Sequence, residues 1–306
     1  MAMTEKITSP SVVRGLLEAH GLRPKKRWGQ HFLCDENVLE KIVEAAELTP
    51  QDRVFEVGPG LGTLTERLAQ VAREVVAVEI DRRLIPLLEE RLAPLRNVRV
   101  VEGDVLRVPW EGLLSMGRSP RAPWKALGNL PYGITSPLLE RLLEHRERFS
   151  LAVLMVQREV AEKIAAPLGT RDASALGAWV QAFCEVEVLA RVSRRSFWPR
   201  PDVDSALLRL RFLPQPRIQS PLESFKKAVR VAFGWRRKTL LKALAAAAAA
   251  AADADAEPGL SQGGAAAILE RAGIDGARRG ETLTLEELDR LAWAWTAWEE
   301  RERGRD

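Results

Sequence analysis

A strand-like stretch that ends in alternating glycines constrains the fold of this chain more than any other feature. Residues 53–57 read Arg-Val-Phe-Glu-Val, and Gly58, Gly60 and Gly62 follow in a G-x-G-x-G spacing. Leucines at helical spacing come next, so the sequence predicts a buried strand, a tight turn and a crossover helix. Such a unit is typical of an open α/β sheet, which binds its ligand beyond the carboxyl ends of its strands. Glycines in the turn let a ligand approach the backbone where a Cβ atom would otherwise stand.

The spacing of these glycines narrows the class of ligand. A dinucleotide site requires G-x-G-x-x-G and a P-loop requires Gly-Lys-Ser/Thr, whereas Gly62 is followed by Thr63. A nucleoside-type ligand without a pyrophosphate remains, and S-adenosylmethionine fits that description. Glu79 stands 21 residues after Gly58 at the end of the next predicted strand, where a carboxylate accepts hydrogen bonds from ribose hydroxyls. Asp104 ends a third predicted strand, where it can accept from an exocyclic amine.

The most specific motif follows a fourth predicted strand and reads Asn129-Leu130-Pro131-Tyr132. The asparagine oxygen and the backbone carbonyl beside the proline can each accept one hydrogen of an exocyclic amine, and proline fixes that carbonyl's direction. Two acceptors favour the pyramidal, more nucleophilic nitrogen of the transition state and hold it in line with a sulfonium methyl. Tyr132 offers a ring face to a base flipped out of its stack, and Phe197, in a later proline-rich segment, is the predicted second face.

The bulk composition predicts a cytoplasmic protein. A chain of 306 residues exceeds one ordinary domain, and a hydrophobic share of 46% is enough for a sizeable core. Two cysteines give no disulfide framework, and the three histidines have no metal-ligand spacing, so we expect no metal. No apolar run approaches the roughly 20 residues of a membrane span, and the N-terminus lacks the apolar core of a secretion signal.

Two domains are predicted, with a boundary at a proline-containing linker. Residues 1–213 carry the strands of the sheet, including two alternating segments, 185–192 and 206–212, that we expect to pair antiparallel at its edge. Proline residues between these segments exclude a strand there. Residues 214–306 read as a smaller all-helical domain, with helices expected over 221–233, 235–252, 264–272 and 285–298.

Basic residues form clusters that predict contacts to RNA phosphates, because arginine and lysine dominate such contacts. The clusters flank the proposed site or lie in the helical tail, and the candidate RNA-binding residues are Lys25, Lys26, Arg27, Arg194, Arg195, Arg236, Arg237 and Lys238. The last three are expected at the start of a helix that follows Gly234. They would form a charged face opposite the apolar face of that helix. Taken singly, each of these residues fits a solvated surface charge better than a phosphate contact.

Seven stretches together resemble the KsgA-type small-subunit ribosomal RNA adenine N6,N6-dimethyltransferases. The likeness runs from about Lys26 to Ala292 and rests on residues 29–33, 56–62, 128–132, 157–160, 197–205, 236–240 and 279–283. It implies a Rossmann-like class I S-adenosylmethionine-dependent methyltransferase sheet, which is mostly parallel, with seven strands and an antiparallel edge strand. It implies cofactor contacts in the loops at the strand ends, at His31, Leu33, Gly58, Gly60, Glu79, Asp104 and Asn129. The implied contacts to the target adenine are Asn129, Leu130, Pro131, Tyr132 and Phe197.

The same resemblance implies the reaction and its partners. Members of the family dimethylate two adjacent adenines in a hairpin near the 3′ end of small-subunit (16S) ribosomal RNA, a step of small-subunit biogenesis. The expected partners are that RNA and the 30S-type particle, and the protein is expected to be a monomer. Asp202 and Gly133 depart from the family's pattern.

Two alternative functions remain open at this point. A related class of enzymes methylates large-subunit RNA and confers antibiotic resistance, but it usually reads Asn-Ile-Pro-Tyr and lacks the Arg236-Arg-Lys-Thr-Leu240 tail. A mitochondrial transcription factor of the same fold binds nucleic acid without catalysis. The complete Asn129–Tyr132 motif, the Phe197 loop and the absence of a transit peptide argue against this second alternative.

Overall fold

The computed structural model describes residues 7, 9–25, 28–115, 123–235, 237–252 and 262–303. Seven strands form one sheet, and their order across it is β4-β3-β2-β5-β6-β9-β7. These strands are β2 (Arg53–Val57), β3 (Glu74–Glu79), β4 (Val98–Glu102), β5 (Trp124–Asn129), β6 (Phe149–Gln157), β7 (Cys184–Val192) and β9 (Ser205–Phe212). Two further short strands, β1 (Phe32–Leu33) and β8 (Phe197–Trp198), pair with each other in a separate antiparallel ribbon.

Twelve α-helices lie within the described residues. They are α1 (Pro10–Ala19), α2 (Glu36–Ala45), α3 (Thr63–Ala69), α4 (Ile85–Leu92), α5 (Trp110–Ser115), α6 (Thr135–Glu144), α7 (Arg158–Ala165), α8 (Ala175–Phe183), α9 (Leu222–Gly234), α10 (Leu240–Ala252), α11 (Gln262–Ala272) and α12 (Leu285–Arg303). In the part of the chain that the structure describes, no helix is both long and apolar enough to cross a bilayer.

The sheet is mostly parallel, as the sequence predicts. Strand β2 pairs in parallel with β3 on one side and with β5 on the other, so the glycine turn follows a central strand. All residues of β2 are buried, which agrees with a parallel strand covered by helices on both faces. Strand β9 pairs antiparallel with β6, and it lies one place inside the edge, which β7 forms.

Leucine-rich faces of the helices pack against the central strands of the sheet. Leu39 of α2 and Leu68 of α3 pack with Val54 and Val75 in one cluster, and Leu39 and Leu68 are at most 3% exposed. The leucines of α4 form a second cluster with Leu17 of α1. Burying each such side chain stabilises the fold by about 1.5–3 kcal/mol, which holds the loops at the strand ends in place.

The chain forms two compact units rather than two consecutive domains. The first, which we call the sheet unit, contains Met1–Ala161 and Glu185–Pro214. The second, the helical unit, contains Glu162–Cys184 and Gln215–Asp306. The linker expected near residue 214 coincides with one crossing between the units, but the segment 162–184, which a single boundary at 213 assigns to the first domain, packs with the helical unit. There, Arg217 N–H donates to the Ala182 carbonyl at 2.9 Å.

Within the helical unit, α10 begins later than the sequence predicts. Helix α9 ends at Gly234, the Lys238 N–H donates to the Trp235 carbonyl at 2.8 Å in a turn, and α10 begins at Leu240. The prediction that these basic residues form a charged face of a helix is therefore wrong. Arg237 and Lys238 lie in an exposed turn between two helices. Arg236 lies outside the described residues, as do Lys26 and Arg27.

Candidate active site

The glycine turn after β2 adopts a backbone that requires glycine. Gly58, Gly60 and Gly62 have φ angles of 70°, 59° and 80°, the left-handed region that side chains with a Cβ atom rarely adopt. A Cβ atom on Gly60 would also lie 3.2 Å from a ring carbon of Phe32. The turn thus exposes backbone atoms at the start of α3, where a ligand can approach them.

Glu79, at the end of β3, is held beside this turn. Its side chain is 4% exposed, its Oε2 accepts from the Gly60 N–H at 3.1 Å, and its Oε1 accepts from the Asp81 N–H at 2.8 Å. Burial raises the pKa of this carboxyl to about 7, against the opposing effect of the backbone donors. Asp81, which is fully buried, also accepts from Gln30 Nε2 at 3.0 Å, so the N-terminal segment is bound to the same strand end.

Glu56 is a second buried carboxyl at this site, and the sequence analysis did not single it out. It is 1% exposed, and its Oε2 has no hydrogen-bond partner among the described residues. Burial, with the neighbouring charge of Glu79, raises its pKa to about 8. The signal was present, because Glu56 is a charged residue inside an otherwise apolar strand.

We expect Glu56→Gln to stabilise the ligand-free protein at alkaline pH. The folded-state pKa of Glu56 lies above its unfolded value, so its contribution to stability is fully present below about pH 4.5 and is lost as the pH rises toward 8. Glutamine does not titrate. The melting temperature of the variant minus that of the wild type should therefore increase by about 3 °C per pH unit between pH 5 and 8.

Calorimetry without cofactor at both pH values measures this difference. The control is Glu89→Gln, which alters an exposed carboxylate on α4 and should leave the pH profile unchanged. Parallel melting profiles for wild type and Glu56→Gln would contradict the buried, protonated state of Glu56.

The Asn129–Tyr132 motif lies at the end of β5 and is held by distant residues. Asn129 Nδ2 donates to the His31 carbonyl at 2.8 Å, which leaves the amide oxygen as the free acceptor of that side chain. The His31 ring nitrogen Nδ1 lies 2.7 Å from the Pro199 carbonyl, and the His31 and Tyr132 rings are stacked with centroids 5.9 Å apart. The Tyr132 hydroxyl lies 3.0 Å from Ser205 Oγ, which is fully buried.

These elements surround one cavity of about 370 Å³, a volume within the range of small-molecule sites. The cavity brings together all but one of the predicted cofactor and target residues. The predicted residues that line it are His31, Leu33, Gly58, Gly60, Glu79, Asp104, Asn129, Leu130, Pro131 and Tyr132. Glu56 lines it as well, and an unpartnered buried carboxyl suits a ligand that carries positive charge or hydrogen-bond donors, as S-adenosylmethionine does.

Phe197 is the exception. It belongs to the short strand β8, in a segment where the sequence analysis excluded a strand, and it pairs there with Leu33. Its side chain is 3% exposed and belongs to a hydrophobic core cluster, and it is not among the residues that line the cavity. In this structure Phe197 packs with Leu33 and the core cluster, and its role as the second stacking face stays a prediction.

The predicted RNA-binding residues that the structure describes differ in their surroundings. Arg194 donates to the Asp202 carbonyl at 2.9 Å, Arg195 is exposed, and the Lys25 ammonium lies 4.2 Å from the centroid of the Trp28 ring. The Lys238 ammonium likewise covers the Trp235 ring in the exposed turn before α10. Lys25, Arg194 and Arg195 belong to the sheet unit, and Lys238 belongs to the helical unit.

Comparison with known proteins identifies the family. The family model for ribosomal RNA adenine dimethylase matches residues 21–262, which is most of the chain. The chain belongs to the ribosomal RNA adenine dimethylase family. A relative in Pelotomaculum thermopropionicum, named ribosomal RNA small subunit methyltransferase A, is 47% identical over 94% of this chain and 96% of its own length. A relative of the same name in Alkaliphilus metalliredigens is 42% identical, with coverage of 94% and 97%.

Two solved structures support the same membership of the ribosomal RNA adenine dimethylase family. A dimethyladenosine transferase from Plasmodium falciparum aligns with a TM-score of 0.73 at 28% identity, covering 88% of this chain and 98% of its own. The 23S ribosomal RNA methyltransferase ErmE aligns with a TM-score of 0.62 at 31% identity, covering 86% and 98%. This family uses S-adenosylmethionine as its methyl donor, and its members are adenine N6,N6-dimethyltransferases.

Proposed function

We propose that this chain dimethylates two adjacent adenines at N6 in a hairpin near the 3′ end of small-subunit (16S) ribosomal RNA. The observation that carries the proposal is the orientation of Asn129. Its amide nitrogen is engaged by the His31 carbonyl, and its amide oxygen is left for a hydrogen-bond donor in the cavity. A primary or secondary amine attached to a base is such a donor.

The residues of the site divide into a cofactor side and a target side. S-adenosylmethionine, when bound, supplies an electrophilic methyl group on sulfur. On the cofactor side, Glu79 would accept from the ribose hydroxyls and Asp104 from the amine of the cofactor's own adenine, while the turn at Gly58 and Gly60 admits the ligand close to the backbone. His31 and Leu33 cover the same cavity from the N-terminal segment.

On the target side, the chain's contribution is orientation and charge stabilisation. Asn129 Oδ1 and the Leu130 carbonyl would accept the two hydrogens of the amine, and Pro131 fixes the backbone direction of the motif. This geometry favours the pyramidal nitrogen and aims its lone pair at the methyl group. Tyr132 is anchored through its hydroxyl to Ser205, so its ring is set to stack on a flipped base.

Small-subunit RNA is favoured over large-subunit RNA as the substrate. The relatives at 47% and 42% identity carry the small-subunit name, and they match the chain over nearly its whole length. The test is methyl transfer from labelled S-adenosylmethionine to undermethylated 30S subunits, 50S subunits and naked RNA. We expect transfer to 30S subunits only. Labelling of 50S subunits would indicate the antibiotic-resistance class, and RNA binding without any transfer would indicate a non-catalytic binder.

The division of labour between the two units is also a proposal. The sheet unit would supply the chemistry, and the helical unit would dock on the 30S-type particle, with the enzyme acting as a cytoplasmic monomer. Support comes from Arg237 and Lys238, which are exposed in the turn between α9 and α10. An exposed basic turn can reach phosphates of folded RNA, which is read mainly by its shape.

We expect neutralising substitutions in this turn to weaken binding to the particle. Changing Arg236, Arg237 and Lys238 to glutamine removes up to three phosphate contacts, and each lost contact lowers the salt dependence of binding by about one unit of slope. Affinity for S-adenosylmethionine should stay unchanged. Filter binding over a salt series and thermal melting, measured on the same variant, check the prediction. An unchanged salt slope with a lower melting temperature would mean that these charges only support the fold.

A further inference from the structure

Arg141 connects the helix after the Asn129–Tyr132 motif to the loop that carries Asp104. It lies half-buried on α6, and none of the sequence motifs includes it. Its Nη1 donates to the Val105 carbonyl at 2.7 Å, and its Nη2 donates to the Val108 carbonyl. One side chain thus satisfies two backbone acceptors in a neighbouring loop.

The loop that receives these bonds is a tight turn around Asp104. The Val108 N–H donates to the Asp104 carbonyl at 2.9 Å, and the Leu106 N–H donates to Asp104 Oδ1 at 2.9 Å. A Cβ atom on Gly103 would lie 2.4 Å from Val108 Cγ1, so Val108 rests on the backbone that immediately precedes Asp104. Holding Val108 therefore restrains Asp104 as well.

Trp110 is a second residue that restrains the loop after Asp104. Its indole N–H also donates to the Val105 carbonyl, at 2.9 Å, and the Arg141 guanidinium lies 4.7 Å from the centroid of its ring. Trp110 is fully buried against Phe55. Hydrogen bonds from a charged donor are stronger than neutral ones, so Arg141 is the stronger of the two restraints on the loop.

We propose that Arg141 is a positioning residue for the methyl donor. Asp104 and Val105 line the cavity and Arg141 does not. Arg141 would therefore act through the loop, by fixing the Asp104 carboxylate and the Val105 side chain where they meet the cofactor's adenine. This inference rests on the proposed function, in which Asp104 accepts from that adenine. Because α6 follows directly on the Asn129–Tyr132 motif, Arg141 also ties the cofactor side of the cavity to its target side.

The primary test is Arg141→Met, which removes both donors and keeps the length and apolar contact of the side chain. Affinity for S-adenosylmethionine, measured by calorimetry, should fall about tenfold, and KM for the cofactor should rise by a similar factor. At saturating cofactor kcat should stay within about twofold, because Arg141 touches no reacting atom. Arg141→Lys keeps a charged donor and should lose only about threefold. Arg148→Met, at an exposed arginine beyond the same helix, is the control and should bind as the wild type does.

A double variant shows whether Arg141 acts through Asp104. In an Asp104→Ala background, adding Arg141→Met should weaken binding by less than about twofold, since the restrained carboxylate is already gone. Unchanged affinity in Arg141→Met, full additivity in the double variant, or a loss confined to kcat would each overturn the proposal. Asp104→Ala alone reports on the proposed function: unchanged affinity there contradicts the Asp104 contact. If Arg141→Met melts below the assay temperature, Arg141→Lys carries the same comparisons.

Discussion

Replacing Asn129 with alanine should reduce methyl transfer to ribosomal RNA by about 10²–10³-fold while leaving RNA affinity within about twofold. The amide oxygen is the acceptor proposed for the reacting amine, and removing one such oriented group typically lowers kcat by about 10²–10³-fold. RNA affinity, by contrast, comes mostly from contacts to phosphates. Turnover with labelled cofactor and filter binding to the same RNA measure the two quantities separately.

A matched control for this experiment is Asn37→Ala, at an exposed asparagine of α2. It should retain both turnover and RNA binding. If Asn129→Ala loses RNA binding along with turnover, the residue supports the fold of the strand end rather than the reaction. A melting temperature close to that of the wild type would support the role in the reaction, whereas a lowered one would support the structural role.

Replacing Glu79 with alanine should weaken S-adenosylmethionine binding by about 10–150-fold. This range corresponds to the loss of hydrogen bonds to a charged acceptor, worth about 1.5–3 kcal/mol. Titration calorimetry measures the affinity, and Glu89→Ala on the exposed face of α4 is the control. Unchanged affinity would remove Glu79 from the cofactor site.

The fold of Glu79→Ala should survive, because the carboxyl is a cost to the ligand-free protein rather than a support. Burial holds its pKa well above the usual range, to about 7, so the ionised form is disfavoured in the empty site. A large loss of melting temperature would therefore argue that the bonds from Gly60 and Asp81 matter more than this desolvation cost.

The strand ends of the site could be predicted from sequence because each is marked by a local pattern of consecutive residues. The apolar run before Gly58, the carboxyl at Glu79 and the Asn129–Tyr132 motif all lie at predicted strand ends and meet at one cavity. Parallel strands bring their carboxyl ends to the same edge, so local patterns are sufficient to predict their proximity.

The positions that could not be predicted depend on contacts far apart in the chain. Phe197 is turned into the core because its short strand pairs with residues 32–33, more than 160 residues earlier in sequence. Similarly, α10 starts at Leu240 because its first N–H groups donate to the carbonyls of Arg278 and Gly276, at 2.7 and 3.1 Å. Helical periodicity carries no information about such distant partners.

Arg141 illustrates the same limit for function. Its sequence context is an ordinary amphipathic helix, and only the folded chain brings its guanidinium to two carbonyls in the loop after β4. Glu56, in contrast, could have been predicted from the sequence as a candidate site residue. A charged residue in the middle of a buried strand requires either a hydrogen-bonding partner or a ligand.

The hydrogen bond from Asn129 to the His31 carbonyl connects a residue of the target side of the cavity with the N-terminal segment on its cofactor side. Release of the cofactor and binding of the target base are therefore coupled. Each adenine receives its methyl groups in succession, and a spent cofactor must be exchanged between transfers. Residues 28–33 cover the cavity, so if this segment opens to release the cofactor, the Asn129 amide loses its partner at the same moment. The Asn129 amide would then no longer be fixed in the orientation that presents its oxygen to the target amine, so a singly methylated base would be held less firmly between the first and second transfers. We expect singly methylated adenine to appear as a free intermediate early in a reaction time course.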